Sequence, residues 1–283
     1  MRSDVSNNSR DALSPVARVL VRITSVLFLL LGAVLFLAPG WASPNFVWKV
    51  SPFVAMSMGG WYLGNGFMAW EVARIWKWGD VYASMLLLWI FSLLEAAVLI
   101  IFSDKLIPGA TLGWPYIAIL TVATITAIVC IVDWVRTRPS TASTAGGVNS
   151  GLLAQLIAFV LIVAVIAVVP LLGYGTSGTI FPEPISPFTL RAFGCFYLSL
   201  ALATIPLIVT RSLRATLFYA RTGLVLLSLI TAAALVNLDK FDFDVHPGKW
   251  AYLGTYIVVG VAVAILVLRH SAQTRRTDVP SQA

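Results

Sequence analysis

The segment FVWKVSPFVAMSMGGWYL, Phe46–Leu63, returns later in the chain as FPEPISPFTLRAFGCFYL, Phe181–Leu198. At a constant offset of 135 residues, seven of the 18 aligned positions are identical, which indicates an internal repeat. Both copies contain Ser-Pro, in which serine can cap a helix and proline can occupy its first turn. The repeat therefore predicts one helix starting at Pro52 and another at Pro187. The identical residues of the first copy are Phe46, Ser51, Pro52, Phe53, Gly59, Tyr62 and Leu63.

The correspondence extends beyond this segment. The pair Asp104-Lys105 matches Asp239-Lys240 at the same offset, and Trp114 matches Trp250 with one residue inserted. We predict two four-helix repeats, residues 18–136 and 152–270, joined by a polar linker at 137–151. An even number of helices inserts both repeats the same way up, so we expect a parallel repeat with a pseudo-twofold axis along the membrane normal.

The composition explains why the helices are expected in a membrane. Hydrophobic residues make up 59% of the 283 residues, charged residues only 11%, and the mean hydropathy is +0.91. Soluble domains carry about a quarter charged residues, so a soluble fold is excluded, as are a disulfide scaffold, a disordered chain and a nucleic-acid-binding domain. Cys130 and Cys195 lie in apolar runs without metal or redox spacing.

Eight apolar runs are long enough to cross a hydrocarbon core of about 30 Å. Helices are expected because backbone groups cannot stay unpaired in lipid, and the runs do not alternate as barrel strands do. The sequence therefore predicts an all-α membrane protein with eight transmembrane helices. The predicted spans are 18–38, 52–70, 81–102, 115–134, 152–172, 187–209, 217–238 and 250–268.

Basic residues set the expected orientation. Of the 19 lysines and arginines, 14 lie in the terminal segments and alternate loops on one side, four lie on the other side, and Arg191 lies within a span. The positive-inside rule places both termini in the cytoplasm of an inner or plasma membrane protein. Residues 1–17 and 271–283 are then cytoplasmic ends, and the first span is expected to be retained as an anchor. The net charge of +7 is explained by topology and lipid headgroups, so no nucleic-acid partner is expected.

The repeated element, Ser-Pro-Phe followed by Gly-x-[Trp/Phe]-Tyr-Leu, resembles one found in uncharacterised bacterial multi-pass integral membrane proteins. The resemblance covers chiefly Phe181–Leu198 and its counterpart Phe46–Leu63. It implies a multi-pass membrane fold and no activity, cofactor or site.

Glu95 is the residue that most clearly indicates a functional site, because a carboxylate inside a membrane is costly and often functional. It lies about 10 Å inside the outer end of the third span, and Arg191 lies about 6 Å inside the outer end of the sixth, so we expect them to lie close together. At the 135-residue offset Glu95 faces Ile230 and Arg191 faces Met56, so any site that they form is asymmetric. A ligand- or proton-handling role and a purely structural role both remain open.

Three further residues of the second span are candidates for contacts with other helices or with a ligand. Asn65 is polar and lies mid-span, which suits an interhelical hydrogen bond or a substrate contact. Gly60 and Gly64 form a GxxxG ridge that lets helices approach closely. That ridge packs either within its own bundle or against an oligomer or partner membrane protein.

Metal binding and catalysis have weaker signals. Asp242, Asp244 and His246 would project from one face of an extended loop, but no fourth ligand is evident, so a solvated loop is favoured over a cation site. The only other histidine, His270, lies beyond the last span. No cofactor is expected, and no nucleotide loop or Ser/His dyad indicates an enzyme.

These observations favour a non-enzymatic membrane protein that binds or moves a small or lipidic molecule. The predicted site lies between the repeats, around Glu95, Arg191 and Asn65, with membrane lipids as neighbours. The alternative is an accessory or assembly subunit with no substrate site of its own. An intramembrane lipid-modifying enzyme ranks third.

Overall fold

The computed structural model describes residues 12–141, 147–174 and 181–277, with side chains up to residue 269. Helices make up most of this part of the chain, and no strand occurs in it. The expectations for the first residues of the N-terminal segment, for 142–146 of the linker and for 278–283 of the tail lie outside the described residues. The eight long helices are α1 (Pro15–Leu37), α2 (Pro52–Ile75), α3 (Trp78–Ile101), α4 (Gly113–Thr137), α5 (Ser150–Leu171), α6 (Pro187–Thr210), α7 (Leu213–Val236) and α8 (Lys249–Thr277).

Seven of these helices, α1 and α3 to α8, are long and apolar enough to cross a membrane. The chain is therefore a multi-pass membrane protein. The helix outside this set, α2, is equally long at 24 residues but carries many glycine and polar residues. Most of α2 is buried against other helices, so its surface does not need the apolar character of a lipid-facing helix.

Each predicted apolar run coincides with one helix apart from at most two residues at its end, and several helices continue past the run. For example, α2 ends at Ile75 rather than near residue 70, and α7 begins at Leu213 rather than near 217. A helix does not end where its apolar residues end, because its backbone hydrogen bonds continue into polar residues of good helix propensity.

The repeated Ser-Pro elements begin two helices in the same way. Ser51 Oγ accepts from the Val54 N–H and Ser186 Oγ accepts from the Thr189 N–H, both at 3.1 Å. The ends of α2 and α6 also correspond, since each is followed by a residue of positive φ, Trp76 at 48° and Arg211 at 50°. Trp76 and Arg211 are again 135 residues apart.

The halves α1–α4 and α5–α8 pack through corresponding helices. Within each half the first helix packs on the second and the third on the fourth. Between the halves α2 packs on α7, and α3 packs on α6. Exchanging the two halves converts one of these contacts into the other.

Side-chain contacts between the two halves also correspond when the halves are exchanged. The Trp48 indole N–H donates to Thr189 Oγ1 at 3.1 Å, and the Ser51 hydroxyl donates to Glu183, which aligns with Trp48. Each half thus contacts the start of the second helix of the other half. Trp61 stacks on its own counterpart, Phe196, with ring centroids 4.4 Å apart and an interplanar angle of 6°.

Glycines bring the central helices to backbone contact. A Cβ on Gly59 would lie 2.5 Å from Phe36 N of α1, and one on Gly194 would lie 3.0 Å from Ala167 O of α5. A Cβ on Gly64 would lie 2.7 Å from Leu226 Cα of α7. Gly60 also faces α7, so both glycines of the GxxxG ridge lie against a helix of the same chain.

Replacing Gly64 by alanine should destabilise the protein by about 1–3 kcal/mol, because α2 and α7 must separate to admit the methyl group. Thermal unfolding of the purified protein in detergent measures this loss. The matched control is Gly260→Ala, where a Cβ meets open space, so stability should be unchanged or rise by up to about 1 kcal/mol. Equal stability of the two variants would contradict the close approach.

Candidate functional site

Glu95 is the most deeply buried acid of the described residues. It is 1% exposed, and neither carboxyl oxygen has a hydrogen-bond partner within the described part of the chain. Its carboxyl group is close enough to interact electrostatically with Tyr62 of α2, Tyr116 of α4 and Cys195 of α6. The Tyr62 hydroxyl donates to the Tyr116 hydroxyl at 2.9 Å, so these phenols are bonded to each other and not to Glu95.

Arg191 points to a different neighbour. Its Nη1 donates to the Pro170 carbonyl at 2.5 Å, near the carboxyl end of α5. Gly173, with φ of 95°, makes room there, because a Cβ would lie 3.1 Å from Nη2. Arg191 therefore caps the negative end of α5. No ion pair joins it to Glu95 among the described residues.

Asn65 lies on a buried polar stripe of α2. Its side-chain nitrogen and oxygen have no hydrogen-bond partner among the described residues, and the same holds for the Ser57 hydroxyl and the Trp61 indole N–H. These three residues repeat every four positions and share one face of α2. The interhelical hydrogen bond expected for Asn65 is therefore not present among the described residues.

Two acidic residues, one near the end of α2 and one near the start of α3, form ion pairs that the sequence did not predict. Glu71 accepts from Arg74 of its own helix at 2.8 and 2.9 Å and from Arg221 of α7 at 2.6 Å. Asp80 of α3 pairs with Arg214 of α7 at 3.0 Å. Arginines that were counted only as topology signals thus join the two halves. The one signal in the sequence that could have indicated these ion pairs is the position of Glu71 and Asp80, each one residue outside a predicted span.

A second polar cluster lies beside the start of α6. Glu183 is partly buried and accepts from Ser51, and this burial raises the pKa of its carboxyl group above the ordinary value, while Lys240 and Lys249 act in the opposite direction. Lys249 is 4% exposed and donates to the Pro182 carbonyl at 2.9 Å. This lysine ties the segment before α6 to the start of α8.

The loop with Asp242, Asp244 and His246 has no metal-binding arrangement. No group of three or more His, Cys, Asp or Glu side chains that could hold a metal ion occurs in the described residues. Asp242 Oδ1 instead accepts from the Val245 N–H at 3.4 Å.

A groove lies mainly in the second half of the chain, and Met68 of α2 is its one described lining residue from the first half. It runs between α5 and α8, has a floor formed by α6 and α7, and encloses about 370 Å³. None of the described residues that line it is charged, and most are aliphatic or aromatic. Its volume falls within the roughly 300–1,000 Å³ of small-molecule sites. Glu95, Arg191 and Asn65 do not line it.

At the corresponding place in the first half, α1 packs against α4. Hydrogen bonds hold that contact closed: Thr24 and Thr126 hydroxyls lie 3.0 Å apart, and the Ser14 N–H donates to Asp133 at 2.6 Å. The counterparts of the two threonines, allowing for the inserted residue, are Phe159 and Ala262. Both line the groove.

Comparison of the chain with protein families, with curated proteins and with solved structures finds no match.

Replacing Glu71 by glutamine should destabilise the protein by about 1–2 kcal/mol, because two half-exposed arginines lose their carboxylate partner. Glu95→Gln should change stability by less than about 0.5 kcal/mol, because no ion pair or hydrogen bond is lost. Thermal unfolding of both variants in the same detergent measures the difference. A loss for Glu95→Gln as large as for Glu71→Gln would show that Glu95 has a partner.

Proposed function

We propose that the chain crosses an inner or plasma membrane eight times, as two parallel four-helix repeats with both termini in the cytoplasm. The equal length of α2 and α6 and their corresponding caps support α2 as an eighth span. The stacking of Trp61 on Phe196 supports a pseudo-twofold axis at that point, because a residue meets its counterpart only near such an axis.

Reporter fusions test this topology. A reporter in the 137–151 linker should be cytoplasmic, and one in the loop between α7 and α8 should be outside. With the amino terminus inside, a seven-span chain in which α2 does not cross would place the linker outside. An external linker therefore contradicts the eight-span proposal. A fusion between α1 and α2 serves as the control, because that loop is outside in both topologies.

The function that the geometry supports best is non-enzymatic binding of a lipidic molecule. The single observation that carries it is the groove between α5 and α8, which is uncharged along its described lining. The site that we propose lies mainly in the second half of the chain. The site between the repeats, at Glu95, Arg191 and Asn65, is a second candidate, favoured by the unpaired polar atoms of Glu95 and Asn65.

Physical chemistry restricts how such a groove selects a ligand. A lipid chain gains no hydrophobic free energy when it moves from bilayer to groove, because lipid tails are as apolar as leucine. The gain comes from dispersion contacts that the lining would lose if the groove were empty. Any apolar chain supplies these contacts, so preference for one lipid over another must come from polar groups.

The accessory-subunit alternative needs a surface that a partner could use. Gly60 and Gly64, the residues considered for that role, face α7 inside the chain. Because these two glycines lie against a helix of the same chain, we favour lipid binding over the accessory-subunit alternative.

Filling the groove tests the proposal. Gly223 lines the groove floor and has open space at its Cβ position, so Gly223→Leu places a side chain where the ligand would lie. Overpacking costs about 1–3 kcal/mol, so labelling by a photoactivatable alkane in mixed micelles should fall about fivefold or more. Peptide mapping by mass spectrometry locates the label.

Gly260→Leu is the matched control, because Gly260 also has open space around it but does not line the groove. Labelling of α5 and α8 should be unchanged in this variant. Unchanged labelling in Gly223→Leu, with the variant folded, would overturn the groove as the binding site.

A further inference from the structure

The start of α5 and the end of α8 lie at the same end of the groove. The Val148 N–H, just before α5, donates to the carbonyl of Arg211, which directly follows α6, at 2.9 Å. Lys249, at the start of α8, donates instead to the carbonyl of Pro182, which precedes α6. Because α6 runs between these two contacts, α8 starts at the far end of the groove and ends beside the start of α5.

Two arginines lie at this end of the groove. Arg211 lies beside the start of α5, and Arg269 lies one turn beyond Leu266 on the face of α8 that lines the groove. Both residues are exposed, and neither forms an ion pair with a described residue. We call this the basic end of the groove.

Different residues occupy the same two positions in the first half. At the offsets that align the halves, Arg211 corresponds to Trp76 and, allowing for the inserted residue, Arg269 corresponds to Asp133. The Trp76 indole N–H donates to a carbonyl just before α1 at 3.0 Å, and the Asp133 carboxylate accepts from the Ser14 N–H at 2.6 Å. In the second half, a positive charge therefore stands where the first half carries a carboxylate.

No described acid of the protein is left to neutralise these two arginines. The acids at this end belong to the first half and already contact arginines or a backbone N–H: Glu71, Asp80 and Asp133. The described acids of the second half lie at the opposite end, before α6 or between α7 and α8: Glu183, Asp239, Asp242 and Asp244. A negative charge between the two arginines must therefore come from a ligand.

A phospholipid of net negative charge is complementary to both parts of this site. One of its chains would lie along the uncharged lining, and its phosphate would lie at the basic end, where guanidinium groups can donate to its oxygens. A zwitterionic headgroup would add an ammonium group, and no unpaired acid of the described chain is present at this end to receive it. The two arginines thus supply a preference between lipids that the apolar lining does not.

We infer that the groove binds one chain of an anionic phospholipid, whose headgroup is held at the basic end by Arg211 and Arg269. This rests on the proposed function, because it names the class of lipidic ligand for that groove. In the proposed topology the basic end faces the cytoplasm, so the lipid comes from the cytoplasmic leaflet.

The test compares phosphatidylglycerol, which is anionic, with phosphatidylcholine, which is zwitterionic and carries the same acyl chains. Each competes with the photoactivatable alkane for labelling of α5 and α8, with the full chain in neutral detergent at low salt. One arginine near a membrane surface corresponds to about a fivefold change in affinity, so phosphatidylglycerol should compete at least about fivefold better. Equal competition by the two lipids would overturn the inference.

Arg211→Gln and Arg269→Gln each remove one charge from the basic end. Each should lower phosphatidylglycerol competition about fivefold, and unchanged alkane labelling shows that the variant is folded. Arg136→Gln is the matched control, because Arg136 is an exposed arginine near the end of α4, without an ion pair to a described residue and away from the groove lining. Phosphatidylglycerol competition should not change in this variant.

The outcomes separate this inference from the proposal beneath it. Loss of the preference in the Arg211 and Arg269 variants, but not in the Arg136 variant, supports the inference. A preference that persists in both groove variants, or that falls equally in all three, overturns the inference while alkane binding to the groove still stands. Alkane labelling that is insensitive to Gly223→Leu overturns the groove itself.

Discussion

Two helix backbones can touch only where no side chain stands between them, and this constraint governs the centre of the protein. In α2 it is met on two sides, at Gly59 against α1 and at Gly64 against α7, and α6 meets it at Gly194 against α5. Because α2 is enclosed in this way, it can carry Asn65 and other polar residues that a lipid-facing helix would exclude. These polar residues and glycines lower the mean hydropathy of α2. The helix that is most enclosed by other helices is therefore the one that least resembles a membrane span in sequence.

The two halves share this centre but differ at their edges. Where α1 meets α4, hydroxyl and carboxylate groups bridge the helices, and where α5 would meet α8, Phe159 and Ala262 provide no such bridge. Interhelical hydrogen bonds add to the van der Waals packing that holds helices together in lipid. The pair α1–α4 has such a bond between Thr24 and Thr126, and the counterparts of these threonines line the groove between α5 and α8 instead.

Much of this fold could be predicted from the sequence, because the positions of helices follow from local signals. Ser-Pro at 51–52 and 186–187 marks two helix starts correctly, and each predicted apolar run coincides with a helix to within two residues at the end of the run. The pairing of side chains was less predictable. Arg191 and Glu95 lie on adjacent helices, yet the Arg191 side chain donates to the Pro170 carbonyl. The rotamer of a long side chain depends on the tertiary packing around it, and this packing cannot be read from the spacing of residues along the sequence. The groove could not be predicted either, because it arises from α5 and α8 lying apart, a relation between helices distant in sequence.

The charged and polar groups divide by what they contact, and this division separates structural from functional roles. Glu71 and Asp80 have arginine partners on α7, so these acids fix the position of one half against the other. Such pairs satisfy their own charges and leave nothing for a ligand. The groove is different, because none of its described lining residues is charged and most are aliphatic or aromatic. Chain burial in such a site does not discriminate between lipids, because lipid tails are as apolar as the lining. The charged pairs therefore hold the two halves together, and the groove offers a ligand its shape and its dispersion contacts.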